Sequence, residues 1–143
     1  HAFMEAAAIS TAITLSTFEK GKTTHLALAT HMTPMCDCFG FTSMPILQDA
    51  GIFGSDDIVA LEKAVLDKTT DLPLILENIP SSLEPQPHDG HPFAQLHGRF
   101  KDPYVLLHYA EKLGLGSQDY QLVDVLPLDD LSPRTKGFYI SAQ

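Results

Sequence analysis

The chain has 143 residues, of which 44% are hydrophobic and 19% are charged, and this balance is that of one globular domain and excludes a disordered chain. The formal net charge is −9, from 9 basic and 18 acidic residues, and the basic residues are scattered singly. A nucleic-acid groove and contact with an anionic membrane are therefore not expected, because both need a concentrated Lys/Arg surface.

The first part of the chain alternates a helical pattern with an extended one. A helix is predicted over Ala2–Glu19, where apolar residues recur every three or four positions. Its many β-branched residues make this helix dependent on packing. A strand is predicted over Thr23–Thr30, with two leucines filling one face and two alanines on the other. The recurring apolar positions of the helix are Ala2, Ala6, Ile9 and Ile13.

A loop, a short strand and a second helix follow. The segment Thr33–Pro45 holds two prolines, a glycine and both cysteines, which is loop composition directly after a strand, where chemistry is often found. The apolar segment Gly51–Gly54 predicts a buried strand. A helix is predicted over Ser55–Thr69, because the serine can cap free amides and the two following aspartates complement the positive helix end.

The second half of the chain predicts a long loop, a helix and a strand. Residues 80–100 are rich in proline, glycine and histidine, and loops of this length are usually functional or disordered. A helix is predicted over Asp102–Gly114, a strand over Tyr120–Leu126 and a weakly held tail over 127–143. The expected fold is a single α/β domain with a small mixed sheet flanked by helices. No run approaches the roughly 18 apolar residues of a transmembrane helix.

The two cysteines are the sharpest local feature of the sequence. Cys36 and Cys38 are too close along the chain for an unstrained disulfide, so we expect reduced thiols in a cytoplasmic protein. Two thiolates at this spacing can share one soft metal, zinc or iron, or an iron-sulfur cluster. Such sites usually take four ligands, and the chain supplies two cysteines. Redox or nucleophilic thiols, or thiols that only pack a loop, are the alternatives.

Four other side chains are candidates to complete a metal shell. His31 lies at the end of the predicted strand beside the cysteine loop, where it can bind a metal or simply face solvent. His88 and His91 lie three residues apart in the long loop, a spacing that permits chelation but also suits a surface role. Asp49 can orient a ligand or cap a turn.

Several ordered blocks of the sequence resemble one known family. They include Thr33–Cys38, Pro45–Phe53 and Ser55–Ala64, followed by His91-Pro92, residues 109–116 and residues 120–122. Together they resemble the C-terminal part of the uncharacterised iron-sulfur-centre proteins called domain of unknown function family 362, from about Phe3 to Val125. The chain departs from the family at Gln48 and Ile58, where the family usually has proline, and at Glu62, where it often has aspartate.

The resemblance implies that intact relatives carry a ferredoxin-like segment with two Cys-rich cluster motifs upstream. This sequence contains none of those motifs, and its opening at His1 with helical sequence directly after it is typical of an excised domain. The resemblance also marks Cys36, Asp37 and Cys38 as the positions most constrained by function. Asp49 and His91 rank second.

The expected function is therefore an accessory domain of a cytoplasmic iron-sulfur protein whose reaction is unknown. Its Cys-Asp-Cys loop is expected to bind a metal or to face the clusters of the upstream ferredoxin-like domain during electron transfer. A shell within the chain would need Cys36, Cys38, His91 and one of His31, His88 or Asp49. Otherwise the whole protein completes it.

Two other functions stay open on the sequence alone. One is a metal-free module that binds a small molecule or a partner between the strand ends and the long loop. The other is a redox enzyme domain with a reactive low-pKa thiolate. A homodimer of this chain, over surface that the missing part would cover, also stays open.

Overall fold

The computed structural model of the chain describes residues 1–86, 90–98, 100–125 and 137–141. In these ranges four helices and four strands form an α/β fold, which confirms the predicted class. The helices are α1 (Ala2–Leu15), α2 (Ile58–Thr70), α3 (Pro92–His97) and α4 (Tyr104–Lys112). The strands are β1 (His25–Ala29), β2 (Gly51–Ser55), β3 (Gln121–Val125) and β4 (Gly137–Ser141). Two single 3₁₀ turns are Asp37–Phe39 and Leu76–Asn78.

The strands form one mixed sheet in the order β1-β2-β4-β3. β1 runs antiparallel to β2, β2 runs parallel to β4, and β4 runs antiparallel to β3. Helix α2 covers one face of the sheet, because its alanine- and leucine-rich side packs against the buried side of β1 and β2. The buried residues of this contact are Ala29, Phe53, Ala60, Leu61 and Ala64.

The larger apolar residues of β1 lie on the face that α2 does not cover. Leu26 and Leu28 are 70% and 66% exposed, whereas Ala29 is buried under α2. The predicted alternation of side chains along β1 is thus correct, but the face that carries the large side chains is the exposed one. Small side chains on the inner face permit the close approach of α2 that the contact requires.

Helix α1 has apolar residues on two opposite faces. Its inner side packs on α4, where Ala8 is buried together with Leu107 and Ala110. The recurring positions that predict the helix lie on the outer side instead, and Ile9 and Ile13 are 43% and 64% exposed. The helix exists as predicted over most of its length, but the sequence pattern marks its exposed face.

Two predictions for the second half of the chain each miss an element that the structure contains. The long loop predicted over 80–100 contains α3, which begins at Pro92, a residue whose fixed φ suits the first helical turn. The tail predicted over 127–143 lies outside the described residues except for 137–141, which form β4 between β2 and β3 within the sheet. Its Phe-Tyr-Ile sequence is rich in the aromatic and β-branched residues that strands favour.

The start of α2 is fixed by one carboxylate. Asp57 Oδ1 accepts the N–H groups of Val59 and Ala60 at 2.8 and 2.9 Å, and Oδ2 accepts that of Ser117 at 2.9 Å. The cap is therefore Asp57, and Ser55 only accepts the N–H of Asp57. The same carboxylate joins α2 to the turn that leads into β3.

A second carboxylate ties α2 to α4. Asp67 accepts hydrogen bonds from the hydroxyls of Tyr104 and Tyr120, each at 2.9 Å, and from the ammonium of Lys63. Burial raises the pKa of Asp67, but these three donors outweigh it and the net shift is downward. Burial, together with the neighbouring carboxylate, raises the pKa of each tyrosine to about 12. The phenols therefore remain donors at neutral pH.

Replacing Asp57 is expected to destabilise the fold. Asp57→Ala leaves three backbone N–H groups without their acceptor, so the free energy of unfolding should fall by about 2 kcal/mol, the upper end of the range for N-caps. Urea unfolding measures the change. The matched control is Asp56→Ala, since Asp56 is exposed and, among the residues that the structure describes, accepts a hydrogen bond from the Thr24 hydroxyl. Equal losses in the two variants would contradict the capping role.

Candidate functional site

The cysteine loop connects two neighbouring antiparallel strands, so it leaves and returns at the same end of the sheet. Residues 30–50 form this loop between β1 and β2. The Ala50 N–H donates to the Ala29 carbonyl at 2.8 Å, and the His31 N–H donates to Asp49 Oδ1 at 2.8 Å. Both ends of the loop are therefore fixed to the sheet.

Residues 45–47, where the cysteine loop returns toward β2, are anchored in the core. Ile46 and Leu47 are fully buried, and they pack with Leu96 of α3. The side-chain amide of Asn78 donates to the Pro45 carbonyl at 2.7 Å. These contacts hold the base of the loop, while the tip stands at the surface.

The two cysteines lie at this tip, around a single 3₁₀ turn. Both are exposed. The Cys38 N–H donates to Cys36 Sγ at 3.4 Å, and the Phe39 N–H donates to the Cys36 carbonyl at 3.2 Å. Cys36 thus begins the turn, with its sulfur beside the first backbone amides. The side chain of Asp37 lies outside the described part of the structure.

A groove of about 590 Å³ lies beside the cysteine loop. The loop forms one wall, and α1, α3 and the segment before α4 form the others. Its lining is predominantly apolar, and Lys101 is the one lysine, arginine or acidic residue among the described lining residues. These residues are Phe3, Met4, Thr33, Pro34, Met35, Cys36, Phe39, Phe93, His97, Lys101 and Pro103.

Helix α3 positions two groove residues and holds the loop. Phe93 and His97 lie four residues apart, which places them on one side of the helix. His97 Nε2 lies 2.7 Å from the Pro34 carbonyl oxygen, so the ring donates a proton to the loop backbone. Because the sequence analysis predicts a long loop here, it misses this helix and its role in the groove. The four-residue spacing was the signal for it.

His91, a predicted ligand, is buried and hydrogen-bonded through both ring nitrogens. Nδ1 accepts the Phe93 N–H at 3.2 Å, and Nε2 lies 2.9 Å from Thr69 Oγ1. The Thr69 hydroxyl donates in turn to the Val65 carbonyl at 2.8 Å, so the ring is neutral with its proton on Nε2. Burial lowers the pKa of His91, and the negative charge of Asp102 opposes this in part. In this arrangement His91 caps α3 and joins it to α2.

Two other predicted ligands, Asp49 and His31, lie together at the end of β1. Asp49 caps the turn at the end of β1, as the non-metal interpretation expects, and His31 is exposed there with a φ of 51°. His88 lies outside the described residues. Within the described ranges, no three His, Cys, Asp or Glu side chains are arranged to hold a metal ion. The metal shell of the loop therefore stays a prediction.

No protein-family model, curated protein or solved structure matches the chain. The resemblance to the iron-sulfur-centre family accordingly stays a prediction from the sequence. Of the helices that the structure describes, none is long and apolar enough to cross a membrane.

The buried state of His91 predicts a loss of stability in acid. Because its pKa is lowered on folding, the unfolded chain binds the proton more readily, and stability falls as the pH drops below about 6.5, the unperturbed value. His91→Asn keeps a capping oxygen but loses the bond to Thr69, at a cost of about 1–2 kcal/mol at pH 7.5.

Urea unfolding between pH 7.5 and pH 5.5 measures this effect. The His91→Asn variant should show a flatter pH dependence than the parent chain. The matched control is His108→Gln, an exposed histidine of α4, which should retain the loss in acid. If the free energy of unfolding depended on pH equally in the parent chain and in His91→Asn, His91 would be ruled out as the source of the loss of stability in acid.

Proposed function

We propose that the chain is an accessory domain of a cytoplasmic iron-sulfur protein, and that its groove receives a neighbouring cluster-bearing domain. The groove beside the cysteine loop is the observation that carries the docking role. The iron-sulfur context rests on the sequence resemblance. In this role Cys36 and Cys38 face the clusters of the docked domain.

The exposed apolar side chains of the loop tip support a docking role. Phe39, Phe41 and Met44 are 64%, 52% and 61% exposed, and the two phenylalanine rings lie 6.5 Å apart. Grouped large apolar residues of this kind mark surfaces that a partner covers. Burial against a partner would remove them from water at a gain of about 25 cal/mol per Å².

The charge of the groove indicates the kind of partner. The chain carries a net charge of −9, yet the charged side chain in the groove lining is Lys101. A cation in an apolar groove favours a partner that presents a carboxylate at the rim of an apolar patch.

An apolar groove suits the chemistry of a nearby cluster. The reduction potential of an iron-sulfur cluster depends on solvent exposure and on hydrogen bonds to its sulfurs. A domain that covers one side of a cluster with apolar side chains excludes water from it. The proposed contribution of this chain is therefore to shield a neighbouring cluster.

Nuclear magnetic resonance of the ¹⁵N-labelled chain tests the docking. The probe is a purified bacterial ferredoxin with two four-iron clusters, kept in the reduced state, in which the clusters are paramagnetic and broaden nearby amide signals. We expect broadening to concentrate on residues 35–39, 93–97 and Lys101. Phe39→Asp and Lys101→Glu should each weaken binding about tenfold or more. The matched control is Phe18→Asp, which is exposed outside the groove.

Two results would contradict the docking proposal. One is broadening spread evenly over the surface, and the other is no broadening at millimolar ferredoxin. In either case the metal-free small-molecule module becomes the better assignment, since the groove volume lies within the usual range for such ligands.

A metal at the cysteine loop is the second candidate function. The observation in its favour is the hydrogen bond from the Cys38 N–H to Cys36 Sγ, because amide donors stabilise the charge of a ligating thiolate. In this case the docked domain completes the shell, or residues outside the described ranges do so.

Elemental analysis for iron and zinc tests whether the chain holds a metal site by itself. A self-contained metal site predicts stoichiometric metal in the chain purified anaerobically and none in a Cys36→Ser/Cys38→Ser variant. Met35→Leu, which keeps both thiols, is the matched control and should retain the metal. Absence of metal from the parent chain would contradict a self-contained site.

A further inference from the structure

The outer face of α1 carries an apolar stripe with the spacing of a helix-pairing seam. Its residues are separated by four, three and four positions, which is the alternation of a heptad repeat. They lie opposite the side of the helix that packs on α4, and all four are exposed. We call this set the α1 stripe, and it consists of Ala2, Ala6, Ile9 and Ile13.

The α1 stripe is graded in size along the helix. Its N-terminal half consists of the two alanines and its C-terminal half of the two isoleucines. If two copies of α1 pack antiparallel about a twofold axis between positions 7 and 8, each Ala6 meets the partner's Ile9. Each Ala2 then meets the partner's Ile13. Every contact thus joins a small residue to a large one, which fills space evenly.

We propose that two copies of this chain associate through antiparallel packing of their α1 stripes. A parallel pair would place alanine against alanine at one end and leave a void there, whereas isoleucines would crowd the other end. The antiparallel arrangement also sets opposite helix dipoles side by side. The twofold interface uses the same patch on both copies, as isologous dimers do.

The charges of α1 favour a second copy over a membrane. Glu5 is the charged residue among its 14 positions, so few like charges face each other across the twofold axis. Interfacial membrane helices instead carry Lys and Arg on their polar face, and α1 has neither. The surface therefore fits a self-associating helix.

The size of the α1 stripe sets the strength of the association. A 14-residue helix is about 21 Å long and about 10 Å wide, and the footprint of one such pair is well below the roughly 800 Å² per partner of a standard interface. The dimer is consequently weak and forms at high concentrations of the chain. None of the stripe residues lines the groove of the proposed function, which α1 borders through Phe3 and Met4 instead.

Sedimentation velocity of the full chain from about 5 to 500 μM tests the association. We expect the mean sedimentation coefficient to rise with concentration from that of a monomer toward that of a dimer. Ile9→Glu should raise the dissociation constant at least tenfold. The matched control is Thr14→Glu, which adds the same charge to an exposed position beside the stripe and should keep the dimer. Circular dichroism checks that each variant remains folded.

Disulfide trapping tests the antiparallel register. In a Cys36→Ser/Cys38→Ser background, Ala2→Cys and Ile13→Cys chains should cross-link when mixed. Ala2→Cys chains alone should not, because the antiparallel register separates the two Ala2 positions by about 16 Å along the helix axis. Cross-linking of Ala2→Cys with itself would overturn the antiparallel arrangement. A monomer at all concentrations, or binding of the monomer to phosphatidylcholine vesicles through this stripe, would overturn the proposal altogether.

Discussion

The carboxylate of Asp57 is the contact on which the arrangement of the layers depends. It accepts two amides from the first turn of α2 and one from the turn before β3. Because α2 covers the sheet and β3 is an edge strand, one side chain fixes the helix layer relative to that edge. Glycine is required at the contact, since a Cβ on Gly116 would lie 1.9 Å from Asp57 Oδ1. A carboxylate used in this way belongs to the scaffold, and the exposed groove is left for function.

The cysteine loop likewise has a buried, structural base and an exposed tip that is available for function. Ile46 and Leu47 are buried, and the ends of the loop are hydrogen-bonded to the strands. The entropy of ordering the loop is therefore lost on folding, whether or not a partner is present. A docking partner does not have to order it again, so most of the free energy from covering Phe39 and Phe41 contributes to affinity.

Local signals in the sequence predicted elements, but not what each element faces. Helices α2 and α4 were correctly predicted because caps and apolar stripes act within a few residues. The buried face of α1 was not predictable, since both of its sides are apolar and only packing on α4 selects Ala8 over Ile9. His91 shows the same limit at the candidate site. Its spacing from His88 suggests chelation, whereas the contact with Thr69, 22 residues away, makes it a buried cap.

The two proposed surfaces, the α1 stripe and the groove, differ in the charges that they present to a partner. A twofold interface brings together two copies of the same charged patch, so a nearly uncharged helix such as α1 suits it. The −9 charge of each copy opposes association at long range. Added salt screens that repulsion and strengthens the dimer. At the groove, Lys101 attracts a carboxylate of the partner at short range, while the −9 charge repels an acidic partner as a whole. Salt therefore weakens two opposing effects at the groove, whereas at the α1 stripe it weakens a repulsion, so the dimer is the association that salt strengthens.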